Sequence, residues 1–122
     1  MNSTSAQMER LQQLLGGHLY RFGDEADLQA GIEQVLLTAG IEYQREHQFD
    51  AHNRFDFVVD GIVLEVKIKG SLPVAARQCY RYQRLPDVRG VMLLATPSWA
   101  RTGWLPEQAG TPLMMVKLRR SM

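Results

Sequence analysis

Apolar positions recur along the chain with two different periods, and the switches between them divide it into elements. Met8, Leu11, Leu14 and Leu15 stand at helical spacing, which predicts a helix over residues 5–15 ended by Gly16-Gly17. Asp24 is a suitable N-cap for a second helix over 25–39. Leu28, Ile32, Val35, Leu36 and Ala39 form its single apolar face, and Gly40 is its stop. Beyond Gly40 the period shortens. Residues 41–49 read as a moderately polar strand and 54–59 as the next. Asp60-Gly61 is a hairpin signal, because both residues tolerate positive φ. The returning strand, 62–68, is nearly continuously apolar, as expected for a strand covered on both faces.

Pro73 opens a third helix that runs to Leu85 and stops at Pro86. Residues 90–96 form a buried strand, 97–110 a long connection holding Trp99 and Trp104, and 112–118 a final strand at the sheet edge. The order helix, helix, three strands, helix, strand, strand predicts an α/β fold with a mixed sheet flanked by helices.

Composition narrows the class. The 122 residues suffice for one domain, and 45% hydrophobic with 22% charged residues is a globular balance. No apolar run reaches the roughly 20 residues that span a bilayer, and the N-terminus lacks the pattern of a secretory signal. The lone Cys79 forms no internal disulfide, so a reducing, cytoplasmic setting is expected. Net charge is +1, but residues 1–66 carry eleven acids and four bases whereas 67–122 carry two acids and ten bases. Such polarity suits carboxylates that gather a cation beside arginines that gather a polyanion, and equally suits two halves that attract on folding.

The chemistry concentrates in Asp56-x8-Glu65-Val66-Lys67. Alternation puts Glu65 and Lys67 on one face of a strand. With Asp60-Gly61 as the turn, Asp56 falls opposite Glu65. Two carboxylates and an amine then converge in an otherwise apolar sheet, where unpartnered charges cost several kcal/mol each. Mg²⁺, which takes hard oxygen ligands and keeps several waters, supplies a reason for the arrangement. A hairpin with a structural ion pair fits the same spacing.

These residues resemble the PD-(D/E)XK phosphodiesterase superfamily, whose pattern is an acid at a strand end, Glu/Asp-x-Lys in the next strand and a glutamate on the preceding helix. The resemblance covers Asp24 to about Thr96 and rests on Glu25, Phe55-Asp56-Phe57 and Leu64-Glu65-Val66-Lys67. Among its branches the chain looks most like small stand-alone members: the VRR-NUC type, phage nucleases and Holliday-junction resolvases. The proline of the superfamily's name is absent, since Phe55 precedes Asp56. The resemblance implies a restriction-endonuclease-like fold, and Mg²⁺ (with Mn²⁺ able to substitute) held by Glu25, Asp56, Glu65 and the Val66 carbonyl. It also implies Lys67 at the attacking water and a 5′-phosphate product.

Glu25 and Glu33 compete for the helical position. Glu25 lies about 40° from the centre of the apolar face and Glu33 about 120°, so Glu25 is assigned to the site and Glu33 to solvent. Gln78-x3-Tyr82 resembles the Gln-x-x-x-Tyr motif of RecB-like nucleases, whose residues lie beside the metal and touch nucleic acid. Arg77, Arg81 and Arg84 form one stripe on the same helix, suited to phosphates or to solvent. Lys69 and Ser71 are further candidates for backbone contacts, and Arg54 for a phosphate or a carboxylate. His18, His47 and His52 show no ligand spacing. Cys79, Met114 and Met115 read as packed residues, and the tryptophans as a seal on the sheet or as surfaces on which bases stack.

The expectation is a Mg²⁺-dependent endonuclease acting on DNA, with residues 1–20 a helical extension and 21–122 the nuclease-like domain. That extension packs on the domain, contacts a partner subunit or forms a homodimer. A binding subunit without turnover, serving restriction, recombination or transposition, is the rival reading.

Overall fold

The computed structural model describes residues 3–121. Its first helix, α1 (Ser3–Gly16), is followed by a two-residue strand β1 (Leu19–Tyr20) and by α2 (Glu25–Thr38). Asp24 caps α2 through a full capping box: its side chain accepts from Asp27 N–H at 2.8 Å while the Asp27 carboxylate reaches back to the cap. The strands β2 (Gln44–Gln48), β3 (Arg54–Val59) and β4 (Ile62–Lys67) come next, then α3 (Leu72–Gln83) with Ser71 as N-cap and Pro73 in its first turn. The chain ends with β5 (Gly90–Ala95), β6 (Gly103–Gln108), β7 (Thr111–Lys117) and the short β8 (Arg119–Arg120).

Six strands form one mixed sheet in the order β2-β3-β4-β5-β7-β6, parallel at β4-β5 and β5-β7 and antiparallel elsewhere. This is the expected α/β architecture. The inner strands β4, β5 and β7 are buried along nearly their whole length, because helices cover both faces. One core joins α1 and α2 to Phe57, Leu64, Met92 and Val116; the other joins α3 to Val63, Leu93, Leu113 and Met115. A separate parallel pair, β1 with β8, aligns Leu19 with Arg119.

The apolar stripe of α1 is seated on the sheet, with Met8 and Leu15 fully buried and Leu11 at 3% exposure. Gly90 permits the close approach, since a Cβ there would lie 2.7 Å from Met8 Sδ. Gln7 donates to Asp60 and Arg89 donates to Thr4, tying α1 to the β3–β4 turn. Leu15→Ala should therefore lower stability by about 2–5 kcal/mol, the usual cost of emptying a buried leucine site. A denaturant titration measures it.

The sheet corrects two expectations. The segment 97–110 is not all connection: β6 lies within it and pairs with β7 as an edge strand, turning through Ala109 (φ 52) and Gly110 (φ 76). The strand predicted at 112–118 consequently lies inside the sheet, between β5 and β6, and not at its edge. Its six consecutive buried residues, Thr111 to Val116, are the signature of an inner strand.

Candidate metal centre

The β3–β4 hairpin turns at Asp60 (φ 48) and Gly61 (φ 77), both in the left-handed region. Its register pairs Val59 with Ile62, Val58 with Val63 and Phe57 with Leu64, which directs Asp56 towards Glu65. The ladder stops there. Val66 N–H donates to Asp56 Oδ2 at 2.8 Å, so a side chain has taken an amide near the ladder's end. The other neighbour of β3 is also interrupted, because the β2–β3 pairing omits Glu46 opposite Asp56 and Glu46 has φ 53. For a glutamate that conformation costs roughly 1 kcal/mol or more, and such strain gathers at functional sites. Phe55 and Phe57, two apart on one strand, end in opposite cores.

Glu65 is the centre of the arrangement. It is 4% exposed, yet its Oε1 has no hydrogen-bond partner. Its Oε2 accepts from Gln78 Nε2 at 3.1 Å and lies 3.6 Å from Lys67 Nζ. Burial, then the charge of Asp56, pushes the Glu65 carboxyl up to about 8, against the pull of Lys67. Asp56 is raised as well, mainly by burial, while the Val66 amide and Lys67 oppose the shift. Glu25, half-buried at the start of α2, is raised by burial and by Asp56, with Lys67 and Lys69 pulling the other way. These mutual effects put Glu25, Asp56, Glu65 and Lys67 in one electrostatic neighbourhood.

Among the described residues, no three His, Cys, Asp or Glu side chains are drawn together as a ready-made metal site. The donor set nevertheless suits Mg²⁺, which is commonly held by one or two carboxylates with water filling the remaining positions. Asp56 and Glu65 meet that requirement, and the unpartnered Glu65 Oε1 is a buried acceptor in need of a donor or a cation. Val66 is fully buried.

The surrounding candidates divide by burial. Gln78 donates to both Glu65 and Tyr82 Oη, the latter at 2.8 Å, and so braces the carboxylate. Tyr82 is 1% exposed and packs edge-on against Phe55, so the expected direct contact with nucleic acid is corrected to support of Gln78 from within the core. Arg54 pairs with Glu46 at 2.8 Å. Lys69 is exposed, and Ser71 serves as the cap of α3. Arg77, Arg81 and Arg84 all lie exposed along α3. Trp99 donates to Gly70 O and fastens the β4–α3 loop.

Glu33 departs from expectation. It is not a solvated charge but accepts from Tyr43 Oη at 2.7 Å and pairs with Arg45 at 2.9 Å, two side chains, just before and within edge strand β2, that reach α2. Glu25→Gln should weaken the binding of a divalent ion at the Asp56–Glu65 cluster. Glu33→Gln should leave that binding intact and cost about 1 kcal/mol of stability through the weakened pair. Metal titrations beside thermal melts separate the two effects.

Sequence reading did not find Asn53, buried at 6% and donating to Asp50, or Gln108 on β6. The Asp50-x-x-Asn53 turn was the available signal for the first; nothing local marks the second. No protein-family model, no curated protein and no solved structure matches this chain.

Proposed function

We propose that this protein is a metal-dependent nuclease of the PD-(D/E)XK type that hydrolyses phosphodiester bonds in DNA as an endonuclease. One observation carries the reading: a carboxylate, Glu65, is buried beside a second acid and an ammonium with one oxygen unpartnered. Arg45 Nε and Gln83 Oε1 are also unpartnered among the described residues, but of the three only Glu65 is an acid beside a second acid and an ammonium, the set that a hard cation needs. Asp56 and Glu65 would hold Mg²⁺ or Mn²⁺, with Glu25 and the Val66 carbonyl as further ligands. When bound, the ion supplies Lewis acidity towards a phosphate oxygen. Lys67 orients the attacking water and offsets charge that builds on the phosphate. Gln78 holds Glu65 Oε2 and leaves Oε1 for the ion.

A second reading, a partner-dependent nucleic-acid-binding subunit without turnover, rests on the exposed Arg77, Arg81 and Arg84, which would serve binding alone. The deciding experiment incubates purified protein with Mg²⁺ or Mn²⁺ and plasmid, single-stranded DNA, a four-way junction or RNA. Metal-dependent nicking with 5′-phosphate ends is the expected result. Binding without cleavage in either metal selects the second reading.

A further inference from the structure

Two sets of arginines in this chain are held in contrasting ways. Arg45, Arg54 and Arg89 each pair with a carboxylate, Glu33, Glu46 and Asp60 respectively. Arg77 and Arg81 on α3 and Arg84 at its C-cap do not: among the described residues none of the three forms an ion pair. Two of them are instead held by neutral amide oxygens. Arg81 Nε donates to Asn53 Oδ1 at 3.0 Å, and its guanidinium lies 5.3 Å from the Tyr82 ring centre. Arg84 donates through Nε and Nη2 to Gln108 Oε1 at 3.3 and 3.1 Å. Asn53 is itself fixed, since its Nδ2 donates to both oxygens of Asp50 at 3.0 and 3.1 Å.

An amide oxygen and a carboxylate have opposite consequences for an arginine. Both fix the fork, but the amide leaves the full positive charge unneutralised. A fixed, uncompensated guanidinium is prepared for a phosphate, which it binds in planar, bidentate fashion. Arg77, Arg81, Arg84, Tyr80, Leu85 and Gln108 line one groove of about 550 Å³ between α3 and the β6–β7 hairpin. Gln78, on the same helix, reaches Glu65. The helix that lines the groove therefore also braces the candidate metal centre.

Resting on the nuclease reading, we infer that this groove holds the phosphates of the nucleic-acid substrate, with Asn53 and Gln108 as positioning residues for Arg81 and Arg84. Their neutrality is what the site requires. An acid at either position would hold the same guanidinium in place and cancel its charge.

Gln108→Glu isolates that property. Asn53→Asp is less clean, because it would set a second carboxylate against Asp50. Binding is read by fluorescence anisotropy of a fluorescein-labelled DNA duplex in Ca²⁺ across a series of salt concentrations. Gln108→Glu should leave the melting temperature unchanged or raised, weaken DNA binding several-fold, and lower the slope of log affinity against log salt by about 0.9. Gln108→Ala, which keeps the charge and loses the orientation, should weaken binding with little change in slope. Arg81→Ala with Arg84→Ala should lower the slope by about 1.8. Arg77→Ala, at an exposed position with no intramolecular partner among the described residues, should lower it by about 0.9 without touching the fold.

A Gln108→Glu variant that binds as tightly and as salt-dependently as the wild type overturns the inference, as does wild-type protein that binds no DNA. Cleavage in Mg²⁺, followed in the same preparations, keeps the two readings apart. Groove-dependent binding without cleavage leaves the groove standing and removes the nuclease. Cleavage with groove variants that bind normally does the reverse.

Discussion

Asp56→Ala, Glu65→Ala and Lys67→Ala should each abolish metal-dependent cleavage while the protein remains folded. The first two remove the carboxylates that would hold the ion. The third removes the ammonium 3.6 Å from Glu65, for which a loss of about 10²–10⁴-fold is the usual scale of a positioned proton-handling group. Glu65 is the informative case for stability. A buried acid with an unpartnered oxygen contributes little to the fold, so its removal should not lower the melting temperature of metal-free protein near neutral pH. Paired melts and plasmid-nicking assays make the comparison. Variants that nick normally sink the proposed site, and inactivity that always follows unfolding reduces it to a structural cluster.

Metal-free protein should lose stability as pH rises through the range in which Glu65 ionises. The Glu65 carboxyl is raised from its ordinary 4.5 to about 8 by burial and by Asp56. The folded state therefore holds this proton more tightly than the unfolded chain does. The stabilisation is complete below about pH 4.5 and is lost as pH climbs through about 8, at about 1.4 kcal/mol per tenfold difference in proton affinity. Asp56 and Glu25 are raised too and act in the same direction. A divalent ion takes the place of the proton, so saturating Mg²⁺ should restore the lost stability at alkaline pH and do little near pH 5. At one hundred times its dissociation constant the ion adds about 2.7 kcal/mol. Glu65→Gln should flatten the pH profile and remove the response to Mg²⁺. A wild-type melting temperature independent of both pH and Mg²⁺ would contradict the arrangement.

The parts of the fold that were legible in the sequence carry their own punctuation. Asp24, Pro73 and Asp60-Gly61 are local devices, and α2, α3 and the hairpin follow from them. The meeting of Asp56 with Glu65 followed because a two-residue turn sets register by counting. Strand β6 was not legible: Pro106 and the shift of register between Leu105 and Gln108 interrupt the alternation that marks a strand. The inner position of β7 depends on β6 and was lost with it. At the site, the misreading of Glu33 came from treating α2 alone, since Tyr43, just before β2, and Arg45, within it, reach it. Asn53 and Gln108 act on arginines 28 and 24 residues away, a separation that no local pattern encodes.

The interruptions in the two outer strands have a consequence for how copies of this chain meet. A sheet with open edges is a template on which another chain can lay a strand. Here β2 is five residues long and bent at Glu46, while β6 carries Pro106 and a break in register. Neither edge presents an unbroken row of amide donors and carbonyl acceptors to a newcomer. Strand addition, the shortest route from a small α/β protein to a fibre, is obstructed on both sides. Association between copies at this sheet would then have to proceed through side chains, where affinity and geometry are set residue by residue.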